Sequence, residues 1–326
     1  MGIKKVYKPV LFSIFVLGVI FVANKYGNSS ISYQRIASNE EKGYFLKSDS
    51  FIENEDLSAA SSRSRRSRNT QTPPVVVTSP TETRDDFSAN QNIEEVGSAS
   101  SSSNPKWWLN SGGRLAIKSG AGSTILGDLP STDRWFTEYL SSNPEDTDGG
   151  LHPQNIFRLV QREKWKNFTQ EVYFKISKIN QSSSPNRNAS NGVLLFNRYQ
   201  TGDNLYYAGL RVDGAVVIKK KFKGTYYTLA TKKIFTNSVY NLQSNPNLIP
   251  LNTWIGIKTE VKNLPDGTVS VKLFIDQGKT GTWTESLSTI DKTGSNGSNV
   301  LSAEGYAGIR TDFMDVLFDD YLIKSI

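Results

Sequence analysis

The 326-residue sequence contains no cysteine and a single histidine. The absence of cysteine excludes a disulfide framework, a thiolate zinc site and a cysteine nucleophile. His152 lies in a loop-like Gly-Gly-Leu-His-Pro stretch. A lone histidine in a loop is more often a surface residue than the general base that a hydrolase triad requires. The sequence therefore favours binding over catalysis, and it leaves open whether the protein is an enzyme.

Long apolar runs are also lacking, except in residues 10–23, which follow the basic residues Lys4, Lys5 and Lys8. The uncharged stretch 9–24 would rise about 24 Å as a helix, against a hydrocarbon core of about 30 Å. We expect residues 1–27 to form a signal anchor, a single transmembrane helix that places the C-terminal part outside the cell membrane. Cleavage of this segment, which would give a secreted protein, stays open.

Residues 28–104 lack sustained hydrophobic periodicity and contain serine-rich and Ser/Arg runs. Such a segment buries too little apolar surface to offset its chain entropy. We therefore predict a disordered Ser-rich linker that acts as a spacer. Its arginines could attract nucleic acid or anionic lipid. Because an exported protein does not meet nucleic acid, we expect no nucleic-acid partner. We expect the protein to associate with the membrane through its N-terminal segment.

Residues 105–326 contain all six tryptophans and alternate apolar with polar residues. In residues 255–262, for example, Ile255, Ile257 and Val261 share one face, while Lys258 and Glu260 share the other. This period of two is typical of strands with one buried face. Strands are predicted at residues 156–160, 169–178, 193–199, 205–212, 215–223, 225–230, 253–262, 269–276, 305–311 and 316–323. With no helices between them, they predict an all-β fold, a two-sheet antiparallel jelly-roll sandwich.

Three stretches resemble the concanavalin A-like lectin/glucanase superfamily, in particular its laminin-G-like and keto-disaccharide-hydrolase-like branches. They are residues 157–168, beginning Phe-Arg-Leu-Val; residues 192–207, beginning Gly-Val-Leu-Leu-Phe; and residues 305–321, beginning Gly-Tyr-Ala-Gly-Ile-Arg-Thr-Asp. The resemblance implies a jelly-roll sandwich. Members of that superfamily include glycan-binding modules, glycosidases and polysaccharide lyases, so the resemblance implies a function among these classes.

The catalytic patterns of that superfamily are incomplete in this chain. The Glu-x-Asp-x-x-Glu strand of its retaining glucanases is missing from residues 105–326. Residues 173–181 resemble a strand of alginate lyases, which makes Tyr173, Lys175 and Gln181 weak catalytic candidates. However, Ile179 stands where that family has its proton-transferring tyrosine. A polysaccharide lyase or glycosidase with an atypical site is therefore the alternative to a binding module.

A net charge of +7 favours an acidic partner, and the densest basic stretch is residues 219–223, Lys-Lys-Lys-Phe-Lys. A two-residue Asp-Gly turn at 213–214 would place Tyr206 opposite Lys221 and Tyr207 opposite Lys220. Rings beside cations suit an acidic glycan. The predicted ligand-binding residues are Arg198, Tyr206, Tyr207, Arg211, Lys219, Lys221 and Arg310. The lysines could instead protect an edge strand, and each arginine could be a structural ion-pair partner.

Asp319 and Asp320 are adjacent acids beside core residues, and such a pair needs compensation from a cation or from Lys or Arg. By resemblance to similar sandwiches, they are candidates for a structural calcium site, the one cofactor expected. Taken together, we expect a membrane-tethered, extracytoplasmic lectin-like or adhesion module for polysaccharides or cell-surface glycans. A sandwich that contacts another envelope protein is a third possibility.

Overall fold

The computed structural model describes residues 81–326, so the predicted anchor at 1–27 and most of the predicted linker lie outside the described residues. The described part contains sixteen strands: β1 Glu82–Asp85, β2 Gln91–Glu94, β3 Trp107–Ser111, β4 Arg114–Lys118, β5 Ala121–Ser123, β6 Ile156–Trp165, β7 Phe168–Ile179, β8 Gly192–Thr201, β9 Asn204–Arg211, β10 Ala215–Phe222, β11 Thr225–Lys233, β12 Ile255–Asn263, β13 Val269–Gln277, β14 Thr284–Asp291, β15 Gly305–Asp312 and β16 Met314–Ser325. One α-helix, α1, spans Arg134–Ser142.

The strands form two antiparallel sheets. The nine-stranded sheet has the order β14-β13-β12-β7-β16-β5-β4-β2, with β1 paired to β16. The seven-stranded sheet has the order β11-β10-β9-β8-β15-β6-β3. The predicted all-β sandwich is therefore confirmed, because every strand expected between 156 and 323 is present.

The apolar sides of the two sheets face each other. Phe157 of the seven-stranded sheet stacks on Phe318 of the nine-stranded sheet, with ring centroids 5.7 Å apart. Both side chains are fully buried, as is Phe174. Burying a side chain of this size contributes about 1.5–3 kcal/mol relative to exposure. This interior layer leaves the alternate residues of each strand on the two outer faces.

The predicted boundary at residue 105 is wrong, because the folded domain begins earlier. β1 pairs with β16, and β2 pairs with β4. Phe87, between these strands, is fully buried and stacks with Trp107 at 6.2 Å. The polar composition of residues 81–104 concealed these two short edge strands, since only isolated apolar residues such as Phe87 and Ile93 enter the core.

Five further elements had no sequence prediction: β3, β4, β5, β14 and α1. The helix begins after Asp133, whose carboxylate accepts a hydrogen bond from the Trp135 backbone N–H. It buries Trp135 and Tyr139 against Ile125 and Ile156. Within residues 81–326, no helix is long and apolar enough to cross a membrane.

Candidate functional site

Arginines, lysines and tyrosines meet on the outer face of the seven-stranded sheet. We call the following set the cationic face: Arg158 of β6, Arg310 and Asp312 of β15, Tyr207 of β9, Lys219 and Lys221 of β10, and Tyr226 of β11. Strand alternation places these side chains opposite the core, whose β9 and β10 members include Tyr206, Ala208, Val216 and Ile218.

Two arginines on neighbouring strands share one carboxylate. Arg158 and Arg310 are Cα partners in the β6–β15 ladder. The Arg158 Nη2 lies 2.9 Å from Asp312 Oδ1, and the Arg310 Nε lies 2.9 Å from Asp312 Oδ2. Asp312 therefore holds both guanidinium groups in place, but its single charge neutralises only one of them.

Aromatic rings lie directly beside these cations. The Arg310 guanidinium carbon is 5.1 Å from the centroid of the Tyr207 ring, and Tyr207 stacks on Tyr226 at 6.0 Å. The ammonium groups of Lys221 and Lys219 lie 5.1 and 5.9 Å from the Tyr226 ring. Each ring thus contacts a cation at a distance that permits a cation–π interaction.

Burial makes this face electrostatically unusual. Arg158, Lys219, Lys221 and Arg310 are each at most 9% exposed. Desolvation lowers the pKa of Lys221 to about 8, and it also lowers the pKa of Arg158. Lys221 also lies 3.3 Å from Asp203.

The Tyr207 hydroxyl lies at the centre of the face. It is buried next to the Tyr226 side chain. Burial raises its pKa well above the ordinary value, so the hydroxyl stays protonated. A ligand that hydrogen-bonds to this buried hydroxyl would gain a favourable contact.

The face continues into an aromatic cluster and a cavity. Phe196 contacts both Tyr207 and Tyr199, with centroids 5.5 and 5.6 Å apart. A cavity of about 300 Å³ adjoins Tyr199 and is lined by Lys164, Tyr199, Gln200, Ala303, Glu304, Gly305 and Tyr306. At the β3 edge of the sheet, the Trp108 indole N–H donates a hydrogen bond to the Val96 carbonyl.

The predicted register of the β9–β10 hairpin is wrong by one residue. Lys219 pairs with Tyr207, and Lys220 pairs with Tyr206, whereas the sequence analysis placed Tyr206 opposite Lys221. The connection contains three residues rather than two, and Gly214 adopts a positive φ of 80° at its end. A one-residue shift in the register of two strands changes which side chains share a face of the sheet. In the observed register, Tyr207, Lys219 and Lys221 share the outer face, and Tyr206 lies in the core.

Tyr206 consequently belongs to a buried ion pair and not to the ligand-binding set. Its hydroxyl donates to Asp291 Oδ2 at 2.7 Å. The Lys220 ammonium lies 2.8 Å from the same oxygen, and both charged side chains are fully buried. This interaction links β10 of one sheet to β14 of the other.

Arg198 and Arg211 have structural contacts. The fully buried Arg198 donates to the carbonyls of Lys166 and Leu301, so it ties loops together instead of facing a ligand. Arg211 lies 3.1 Å from Asp213 and donates to the Ala189 carbonyl. The contacts of Arg198 and Arg211 thus agree with the alternative that the sequence left open, in which these arginines have a structural role.

The three weak catalytic candidates do not join the cationic face. Tyr173 and Lys175 lie on the outer face of the nine-stranded sheet, where Tyr173 donates to Asp276 and Lys175 lies 4.9 Å from the Trp254 ring. Gln181 is exposed in the loop after β7. These residues therefore assemble no lyase site with the cations of the other sheet.

Asp319 and Asp320 receive their compensation from a lysine. The Lys279 ammonium lies 2.5 Å from Asp319 and 2.9 Å from Asp320. In the described part of the chain, no three His, Asp or Glu side chains are grouped as metal ligands. Calcium binding at this pair stays a prediction. The Lys279 ammonium already supplies the positive charge that the two carboxylates need.

Sequence reasoning did not select Arg158, Asp312 or Tyr226. A signal for the first two was present, because Arg158 interrupts an apolar strand run and Arg310 precedes Asp312 by two residues on one strand face. Tyr226 had no such signal, since its position depends on the register of β10 with β11.

No protein-family model matches the sequence, and no curated protein matches it. Among solved structures, the chain is similar to the carbohydrate binding module CBM66 from Bacillus subtilis, with 17% identity and a TM-score of 0.37 over 53% of this chain and 83% of that one. A β-glucanase from Bacillus licheniformis has 9% identity and a TM-score of 0.41 over 76% and 100%. The alginate lyase Aly36B in complex with alginate trisaccharide has 10% identity and a TM-score of 0.38 over 76% and 100%.

These three proteins bind or act on carbohydrates, as their names state.

Proposed function

We propose that the protein binds an acidic polysaccharide at the cationic face. The observation that carries this proposal is the grouping of four cations beside two tyrosine rings on one face of the sheet, where Arg158 and Arg310 share the carboxylate of Asp312. A ligand carboxylate or sulfate at this face would accept charge-assisted hydrogen bonds from these cations.

The chemistry of the face suits sugar units that carry such an anion. Arg158 and Arg310 present planar donors for a carboxylate or sulfate. Tyr207 and Tyr226 offer ring surface for the C–H groups of a pyranose. The Tyr207 hydroxyl would donate to, or accept from, a sugar hydroxyl. Cation, ring and hydroxyl together select a polymer that is both anionic and rich in hydroxyl groups.

The low exposure of these groups has a kinetic consequence. Because the four cations and Tyr207 are at most 9% exposed, contacts that cover them must give way before a polymer reaches them. We therefore expect association to be slower than the roughly 10⁵ M⁻¹s⁻¹ at the lower end of unhindered docking.

A glycan array probed with the full-length protein tests the proposal. Sulfated and uronic-acid polysaccharides should bind, and neutral polymers of the same length should not. Tyr207→Phe should weaken binding while preserving the ring, and Lys175→Ala on the opposite sheet is the matched control. Equal binding of neutral and acidic polymers would contradict the proposal, and a specific protein partner in place of any glycan would favour an envelope-protein contact.

A polysaccharide lyase is the second candidate, because one observation favours it. The Arg310 guanidinium carbon lies 5.1 Å from the centroid of the Tyr207 ring, and the hydroxyl of that ring is buried. An arginine can neutralise a uronate carboxylate while a tyrosine transfers a proton. Incubation with uronic-acid polymers, followed by the absorbance of unsaturated uronate, separates the two functions. Turnover that Tyr207→Phe abolishes would replace simple binding by a lyase activity.

We further propose that residues 1–27 tether this binding domain to the outside of the cell membrane. The support is the sequence pattern of three lysines followed by an apolar run. Membrane fractionation checks it: the full-length protein should sediment with membranes and be released only by detergent. Recovery of a shortened protein in the medium would indicate cleavage instead.

A further inference from the structure

The outer face of the seven-stranded sheet is apolar as well as cationic. Between the residues that face the core, four of its strands present buried side chains outwards: Trp108, Leu194, Phe196, Leu205, Tyr207 and Val217. Each of these is at most 3% exposed. The outer face of an antiparallel sheet in a two-sheet sandwich is commonly polar and solvated. A large apolar face at this position marks a docking surface.

No third layer of secondary structure covers this face within residues 81–326. The nine-stranded sheet packs on the opposite, core side, where Phe318 stacks on Phe157. The helix α1 belongs to a separate apolar cluster with Ile125 and Ile156. An occupant of the outer face must therefore come from outside the described strands and α1.

The described chain begins beside this sheet. The Trp107 indole N–H of β3 donates to Asp85 Oδ2 of β1 at 2.7 Å. β3 pairs with β6, the strand that carries Arg158 of the cationic face. Residues that precede β1 therefore join the domain next to the strand edge from which the cationic face extends.

The densest acidic stretch before residue 81 is Asp-Ser-Phe-Ile-Glu-Asn-Glu-Asp-Leu at residues 49–57, which we call the acidic segment. Residues 48–62 contain no lysine or arginine. The carboxylates of the acidic segment belong to Asp49, Glu53, Glu55 and Asp56. The segment also contains a phenylalanine, an isoleucine and a leucine. Its opposite charge and its apolar side chains make it complementary to a face that is cationic and apolar.

The connecting chain is long enough for this contact. The 24 residues 58–81 span at most about 80 Å. A domain of about 250 residues has a radius of gyration of about 18 Å. The acidic segment can therefore reach the outer face from the start of β1. Because it belongs to the same chain, its effective concentration at the face is about 1 mM.

We propose that the acidic segment docks on the cationic face and competes there with the acidic polysaccharide. This inference rests on the proposed function, because the segment regulates the same site. The polymer binds only the fraction of molecules in which the segment has left the face. If the segment alone has a Kd of about 100 µM, its tethering raises the apparent Kd of the polymer about tenfold.

Calorimetry of the full-length protein with a sulfated polymer tests this competition. The test variant carries Asp49→Asn, Glu53→Gln, Glu55→Gln and Asp56→Asn. It should bind the polymer with a Kd about tenfold lower than that of the wild type, because the uncharged segment leaves the face open.

The control variant, Glu40→Gln with Glu41→Gln, removes negative charge from outside the acidic segment. Its Kd for the sulfated polymer should equal that of the wild type. The proposal would be overturned by a test variant that binds no more tightly than the wild type. It would also be overturned if the control gained affinity in proportion to its two charges, since net charge alone would then explain the result.

Cross-linking with a carbodiimide separates failure of this inference from failure of the proposed function, because it needs no polysaccharide. The reagent activates a carboxylate, and a lysine amine in contact displaces the activating group to form an amide. Mass spectrometry of the wild type should find the acidic segment joined to Lys219 or Lys221, whereas the test variant should give no such product. Absence of these products from the wild type would overturn the contact.

Two other results have distinct meanings. Cross-links to Lys219 or Lys221, without binding of any acidic polymer, would support the contact and contradict the proposed function. A mixture of isotope-labelled and unlabelled protein identifies the chain that supplies the segment. Products that join only labelled to unlabelled chains would show that a second copy occupies the face, and they would overturn docking within one chain.

Discussion

The Arg310 guanidinium lies over the Tyr207 ring at 5.1 Å while its Nε holds Asp312 at 2.9 Å. One residue of β15 thus connects an aromatic ring of β9 to the carboxylate that Arg158 of β6 also uses. This relationship joins three of the five strands that carry the cationic face.

Arg310→Lys should weaken binding of acidic polysaccharides. Lysine keeps the charge but loses the planar donors and the stacking on Tyr207. Cation–π contacts contribute about 0.5–2 kcal/mol, which corresponds to an increase in Kd of roughly 2- to 30-fold. Calorimetry with a sulfated polymer measures it, and Lys175→Arg on the other sheet is the control. An unchanged Kd would show that Arg310 acts only as a point charge.

The location of the sandwich could be predicted from sequence because alternation reports the face of a strand directly. Residues 255–262 show it: Ile255 and Ile257 are buried, while Lys258 lies on the outer face beside Glu171. The composition of residues 81–104 gave no such pattern. Two strands were therefore missed, since their positions depend on β4 and β16, which are distant in sequence.

The candidate site was predicted only in part, and the reason is register. Tyr207, Lys219, Lys221 and Arg310 were selected from composition, but their grouping depended on the length of the β9–β10 loop. A third loop residue, Val212, separated Tyr206 from the set and placed Lys220 in the core. A two-residue loop at 213–214 and a three-residue loop at 212–214 both end in the same Asp-Gly pair. The local sequence therefore does not decide between these two loop lengths.

Polysaccharide binding should weaken as the pH rises above about 8. Burial lowers the pKa of Lys221 to about 8, so its ammonium group loses its proton in this range, well below the value for an exposed lysine. The charge that attracts an anion is therefore present below pH 8 and lost above it. Titrations from about pH 6 to about pH 9 with a sulfated polymer, whose own charge is constant, measure the effect. Lys221→Met should bind more weakly and should remove most of this pH dependence.

Lys220→Ala should destabilise the fold strongly. It removes the cation that lies 2.8 Å from Asp291 and leaves that carboxylate buried with only the Tyr206 hydroxyl as a described side-chain partner. Loss of one partner of a buried ion pair costs about 3–5 kcal/mol. Urea unfolding measures the change. The double variant Lys220→Met with Asp291→Leu should recover most of the stability, and a double variant as unstable as Lys220→Ala would contradict this interpretation.

Folding stability should also fall as the pH rises from about 4.5 to about 7, because of Glu95. Its Oε2 accepts hydrogen bonds from the Tyr139 hydroxyl at 2.5 Å and from the Gly113 backbone N–H at 2.8 Å. Burial nevertheless raises the pKa of Glu95 from 4.5 to about 7, since desolvation outweighs these two bonds. The folded state therefore binds the proton more tightly than the unfolded state does.

The sign of this effect follows from linkage. The contribution of Glu95 to stability is fully present below the unfolded pKa of 4.5 and is lost as the pH rises through about 7. Glu95→Gln keeps an oxygen for Tyr139 and Gly113 but cannot ionise. Urea unfolding at about pH 5 and about pH 8 should give the variant little change at the lower pH and a higher free energy of unfolding than wild type at the higher. Parallel pH profiles for the two proteins would show that Glu95 titrates normally, because only a shifted pKa couples its ionisation to folding.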